Sequence, residues 1–367
     1  MPLIPHNRLP LLDSLRGLAA LIVVVHHYMV FNGEVVQRQV AIPFVRILSF
    51  ISEQNTIAVL FFFVLSGFCI ALSRQGKWLL GKEDTNLYLY RRFKRILPVY
   101  WLALLLSIFI GLLSGTIHQS DYSLKNLIGN LLFLQTSKYA TSYWFSPYGN
   151  NGPLWSLAYE MFFYLFFPFF SFLILRIRIL RSENVQWIVL GVFSITGILV
   201  NRYVGFMPLM AFLTAFIIWI AGFKVAVDVY CARRPGQSWL LIFFLSVLLI
   251  TSRQYIPSAS IYEIAQGLCI AAILYGLFKL NACWKSSLKN SLKKGFNFCF
   301  NHIGHGSYAL YALHYPVFII MQHYHVSAIT QAGIIFIMLF LCPILETYLS
   351  RQAFSRIQLL VMPKLGK

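Results

Sequence analysis

The chain has 367 residues, 59% of them hydrophobic and only 11% charged, with 30 Lys and Arg against 11 Asp and Glu. That balance excludes a soluble globular domain, which carries about 25% charged residues. Its long apolar runs do not alternate, which also excludes a transmembrane barrel and leaves an all-α, polytopic membrane protein.

The apolar runs predict ten transmembrane helices, over 14–31, 56–73, 96–113, 153–175, 186–203, 207–223, 239–252, 261–279, 307–325 and 331–350. With both termini cytoplasmic, every Lys and Arg except Arg38, Arg46, Lys125, Lys138, Arg202 and Arg253 falls on the cytoplasmic side. Such an excess is what the positive-inside rule requires. The net charge of +19 is therefore read as topology, and no nucleic-acid partner is expected. Residues 124–134 are too short to span and are expected to form an outer-surface or re-entrant helix. Asp13 and Arg16 sit in the opening turns of the first span and no small-residue cleavage site follows, so no signal peptide is expected. The whole of 1–367 reads as one membrane domain without a separate soluble domain. Cys69, Cys231, Cys269, Cys283, Cys299 and Cys342 are scattered without metal-ligand spacing and read as packing residues; no HExxH or similar cluster suggests a metal.

Charges inside apolar helices are costly and ask for a reason. In the first span, "LDSLRGLAALIVVVHHYMVF", Arg16 and His27 are eleven residues apart, about 20° beyond three full turns, so they share a face with roughly 16 Å between them. Asp13 lies about 40° off that face and His26 about 100° away. The alternatives are a snorkelling topogenic arginine and an interfacial histidine. In the second span, "FFFVLSGFCIALS", Ser66 and Gly67 allow another backbone, or a ligand chain, to come close. "YLYRRFKRILPVYW", where a loop meets the third span, places Arg92 and Arg95 on one face. They form either an anion site or an ordinary basic and aromatic interface.

"NNGPLWSLAYEMFFYLFFP" starts the fourth span and carries Trp155, Ser156 and Glu160, the carboxylate about 10 Å deep if the span enters from outside. A buried carboxylate beside an imidazole can orient it, as in a catalytic triad; the alternative is a polar contact between helices. "GSYALYALHYPVF" puts Ser307, Tyr311 and His314 on one face, His314 being read as either a packing or a supporting residue. The 114–152 connection holds Tyr122, Tyr139, Tyr143, Trp144, Tyr148, Asn150 and Asn151, which suit either a sugar surface or an interfacial belt.

These five stretches, in this order over residues 8 to about 320, resemble the acyltransferase 3 family of integral membrane acyltransferases. Many members O-acetylate surface polysaccharides such as lipopolysaccharide O-antigen. The resemblance implies a bacterial inner-membrane enzyme that uses acyl-CoA, most often acetyl-CoA, with a surface or lipid-linked glycan as acceptor. The family's arginine, ten residues, histidine pattern falls on Arg16 and His27, which implies that His27 is catalytic, with the adjoining Asp13 also matching. The paired arginines with two residues between fall on Arg92 and Arg95, implying contact with acyl-CoA. The Ser-Gly-Phe element falls on Ser66, Gly67 and Phe68, and the Trp-Ser-Leu element with its following acid on Trp155, Ser156 and Glu160. The doubled His26-His27 departs from the pattern and leaves a supporting role open for His26. In this reading His27 acts as general base or transient acyl carrier, oriented by Glu160 or Asp13. Two alternatives stand beside it: a transporter or flippase with Glu160, Glu263 and Glu346 as a coupling relay, and acylation of a lipid or small molecule.

Overall fold

The computed structural model describes residues 10–136, 145–230, 238–255, 258–283 and 300–352. Twelve named helices carry the fold: α1 (Pro10–Gln39), α2 (Ile42–Glu53), α3 (Asn55–Ser73), α4 (Lys82–Leu113), α5 (Leu124–Leu131), α6 (Leu154–Arg176), α7 (Glu183–Tyr203), α8 (Pro208–Tyr230), α9 (Ser238–Thr251), α10 (Ala259–Cys283), α11 (Ser307–His323) and α12 (Ala328–Gln352). No β-strand occurs among the described residues. Each of the ten predicted spans coincides with one of these helices. Among the described residues eight helices are long and apolar enough to cross a membrane, while α9 has 14 residues and α11 has 17. Arg8, Lys138, Arg233, Arg234, Cys231 and Cys299 lie outside the described residues, as do Tyr139, Tyr143 and Trp144.

Two boundaries differ from expectation. The third span begins not at 96 but at Lys82, so Arg92 and Arg95 ride on the helix and not on a loop. Glu83 and Asp84 in the first turn favour that early start, because acidic groups suit a helix N-terminus. The outer connection 32–55 is itself helical, continuing α1 to Gln39 and adding α2. Ile42, Phe44, Ile47 and Phe50 of α2 are all exposed, as suits a helix lying along a membrane interface. The short helix expected within 124–134 is α5, with Ser123 accepting from the Asn126 N–H at its start.

The core is aromatic. The run "MFFYLFFPFF" in α6 sends Phe163, Tyr164, Phe167 and Phe170 inward against Phe216, Trp219 and Phe223 of α8. Outward faces carry exposed Ile188 and Val192 on α7, Phe244 and Leu248 on α9, and Phe336 and Phe340 on α12. Such an apolar exterior is stable against lipid and unstable against water. Between helices, close approach replaces hydrophobic drive. Gly67 of α3 lies on the carbonyl of Trp219, and Gly222 of α8 on the carbonyl of Val64, so the two backbones meet at paired glycines. Gly17 and Gly304 do the same where α1 crosses the helical residues 300–305. Of the two readings for Ser66-Gly67, it is a backbone that occupies the space over Gly67. The substitution Gly67→Ala is expected to destabilise the protein by about 1–3 kcal/mol through overpacking, seen as a lower midpoint for thermal aggregation in detergent.

Contacts between α1 and α11 rise together along both helices. Gly17 meets Gly304 just ahead of α11, His27 meets His314, and Asn32 meets Gln322. The two helices therefore run parallel.

Candidate functional site

Five helices, α1, α3, α4, α6 and α11, line a narrow cavity of about 50 Å³. Its wall includes Arg16 from α1, Ser66 from α3, Arg95 from α4, Ser156 and Glu160 from α6, and Ser307 and Tyr311 from α11. Seven of the residues singled out in the sequence, taken from five separate motifs, thus meet at one place.

Each wall group has a distinct set of partners. Arg16 is held by Asp13, whose Oδ1 lies 3.2 Å from Nη1, and its Nη2 points at Cys69 Sγ at 2.8 Å. Arg95 makes no hydrogen bond or ion pair among the described residues, and the buried Nε of Arg92 likewise has no acceptor there. Arg92 instead lies over the Tyr164 ring, 5.9 Å from its centroid. A guanidinium with unused donors on the wall of a cavity, and a second three residues before it on the same helix, make a place for an anion. Ser66 Oγ lies 3.0 Å from Glu160 Oε1 and 2.8 Å from Tyr164 OH, and accepts from the Trp219 indole N–H at 3.1 Å. Tyr164 donates to the same oxygen of Glu160. The other carboxylate oxygen has no hydrogen-bond partner among the described residues. Ser156 and Tyr311 hydroxyls pair at 2.7 Å. Trp155 packs instead against Phe63 and Tyr159, away from the cavity, and Phe68 is buried against Phe278.

His27 stands higher on α1. Its Nδ1 is 3.0 Å from Nε2 of His314, and the edge of the Tyr315 ring lies against it at 4.9 Å between centroids. His27 keeps part of its surface accessible, whereas His314 is fully buried. The expected carboxylate partner is absent from His27 among the described residues. Glu160 is engaged by Ser66 and Tyr164, and Asp13 lies about 21 Å below along the helix. An imidazole from α11 stands in that place. His26 points elsewhere, with Nδ1 3.0 Å from the Ser52 carbonyl at the end of α2.

The connection between α4 and α6 turns in toward the bundle at its end. Tyr148 and Asn151 are buried, not displayed, which corrects the reading of these two as a sugar-facing surface; Asn150 is exposed. Asn151 has a specific task that sequence reasoning missed. Pro316 has no N–H and so leaves the Ala312 carbonyl of α11 without its helical donor. The Asn151 Nδ2 donates to that carbonyl at 3.2 Å. This bond ties α6's entry loop to the turn of α11 that carries His314 and Tyr315. Both signals were present as "NNGP" and "HYPV", but nothing in either string links them. Glu346 was a member of the supposed relay, but it accepts from the Ala309 N–H at 3.0 Å and so caps the start of α11. Glu263 is exposed on α10.

Acyltransferase MdmB of Streptomyces mycarofaciens is 31% identical over 180 residues, a stretch that covers 47% of this chain and 42% of that protein. No solved structure matches the chain. The family defined by an acyltransferase domain matches residues 9–347, which takes in every helix of the cavity wall and both histidines, and the chain belongs to this acyltransferase 3 family.

Proposed function

We propose that the chain is a multi-pass O-acyltransferase of a bacterial inner membrane, with both termini cytoplasmic. It moves an acetyl group from cytoplasmic acetyl-CoA to a hydroxyl of a surface polysaccharide sugar, of which lipopolysaccharide O-antigen is the best fit. The observation that carries the reading is the convergence of Arg16, Arg95, Ser66 and Glu160 on one cavity, with His27 above Arg16 on the same helix. Phosphates of acyl-CoA pair with the free guanidinium donors of Arg92 and Arg95, and Arg16 adds charge beside them. The cavity holds a few waters at its present size, so its helices must part to admit the thioester arm. His27 takes the proton of the sugar hydroxyl as that oxygen attacks the thioester carbonyl. The C–S bond then breaks, and the departing thiolate receives the proton from the imidazolium. Atoms and charge balance, and the histidine is restored.

The test uses membranes containing the protein, acetyl-CoA labelled in the acetyl group, and surface glycan. Label appearing on the glycan, with one free CoA thiol released per acetyl, is the expected result. Glycan crossing the membrane unlabelled, with acetyl-CoA intact, would overturn it in favour of transport. Label in extracted lipid or a small soluble product instead of glycan would overturn the acceptor.

A further inference from the structure

We propose that His314 is a positioning residue that fixes the tautomer of His27, so that the lone pair of His27 Nε2 is free to act on the acceptor. The inference rests on His27 being the base in the acyl transfer described above, and its argument is geometric.

His314 Nδ1 lies 2.9 Å from the carbonyl oxygen of Leu310, one turn below on α11. A carbonyl only accepts, so this nitrogen carries the proton. With Nδ1 protonated, neutral His314 presents a lone pair at Nε2. That lone pair faces His27 Nδ1 at 3.0 Å, so His27 Nδ1 is the donor. The result is a one-way chain, from His27 N–H to His314 and from His314 N–H to the Leu310 carbonyl. The reverse polarity would set the His314 Nδ1 lone pair against the carbonyl lone pairs. A doubly protonated His314 would place a full charge on a side chain with no exposure, and no carboxylate lies within ion-pair distance of either ring among the described residues. A single hydrogen on His27 therefore sits at Nδ1, and Nε2 is the basic atom. When Nε2 takes the hydroxyl proton, His27 becomes cationic while its Nδ1–H still donates to His314, which disperses the charge without further proton movement. Being fully buried, His314 cannot reach the acceptor and acts only through His27. This is the role an aspartate fills in a serine-hydrolase triad, here supplied by a neutral ring. Tyr315 against the His27 ring and Asn151 on the Ala312 carbonyl hold the same turn of α11 in place.

Two variants separate this role from simple packing. His314→Gln puts an amide oxygen near the lost Nε2 and keeps an acceptor, whereas His314→Leu fills the space without one. The readout is ¹⁵N NMR of ring-labelled histidine in nanodiscs, with the His27 signal assigned from its loss in His27→Asn. In the wild type and in His314→Gln, His27 is expected to carry its proton at Nδ1. In His314→Leu that preference is expected to weaken, leaving among the described residues only the Val23 backbone one turn below on α1 as a partner for the ring. In parallel, kcat falls by about 10²-fold or more in His314→Leu, within the range general-base catalysis contributes. The KM for acetyl-CoA stays within about twofold, because His314 bonds to His27 and the Leu310 carbonyl and not to the arginines of the cavity wall, and His314→Gln recovers most of kcat. A wild-type His27 protonated at Nε2 would overturn the proposal without any variant having to fold. So would equal kcat in the wild type and His314→Leu. A protein with no transfer activity at all would refute the acyltransferase reading instead, and the tautomer measurement would still decide the pairing.

Discussion

The substitution His27→Asn is expected to lower acyl transfer by about 10²–10⁴-fold in kcat, the usual worth of a general base, with little change in folding or in the KM for acetyl-CoA. Asparagine is the informative replacement. Its amide can still donate to His314 Nε2, so the buried acceptor keeps a partner. Alanine would leave that acceptor unmatched, at a cost of about 1–3 kcal/mol, and would mix a folding defect with a catalytic one. The donor site should not sense the change, because Arg16 is about three turns away along α1. The measurement is label transfer from acetyl-CoA at matched protein levels, with donor concentration varied so that kcat and KM separate. Full activity in His27→Asn with loss in His26→Asn would move the chemistry to the neighbouring ring, which at present bonds to the Ser52 carbonyl.

A good part of this arrangement is legible in the linear sequence, and the rest is not for a physical reason. Hydropathy locates the eight helices long enough to span, together with the shorter α9 and α11, because a span must be continuous and apolar wherever it packs. Helical period places Arg16 and His27 on one face and Arg92 and Arg95 on another, since both pairs lie within one element. What period cannot give is pairing between elements. His27 and His314 are 287 residues apart, and only the parallel packing of α1 and α11 brings them together. Glu160 was within reach of His27 by depth alone, yet its rotation about α6 turns it to Ser66 and Tyr164. α4 starts 14 residues before its apolar run, because hydropathy marks where a helix becomes apolar, and not where its hydrogen bonds begin. The role of Asn151 requires knowing which carbonyl Pro316 leaves open and which loop passes it.

The second large effect concerns the donor. Arg95→Gln is expected to raise the KM for acetyl-CoA by about 10- to 100-fold, the equivalent of one or two charged hydrogen bonds at about 1.5–3 kcal/mol each, with kcat at saturating donor changed far less. The ground is an inventory of the basic residues on α4 and its approach. Arg74 is already committed to Asp84 and to the carbonyls of Lys77 and Trp78. Arg91 is exposed. Arg95 alone among these lines the cavity, beside Ser66 and Glu160, and has no hydrogen bond or ion pair among the described residues. A guanidinium kept in a helical bundle with no hydrogen bond or close ion pair is expensive, even with Glu160 on the same wall, and an anionic ligand that enters and leaves would account for the cost. Arg91→Gln serves as the comparison, since it removes the same formal charge from the same helix outside the cavity, and it is expected to change KM by less than about twofold. Raising the ionic strength should mimic Arg91→Gln more than Arg95→Gln, because salt screens exposed charges and reaches a cavity wall poorly. Equal effects of the two substitutions would mean that the donor senses only the net charge of this face. A loss of kcat in Arg95→Gln with KM unchanged would place Arg95 in the transition state and not in donor binding.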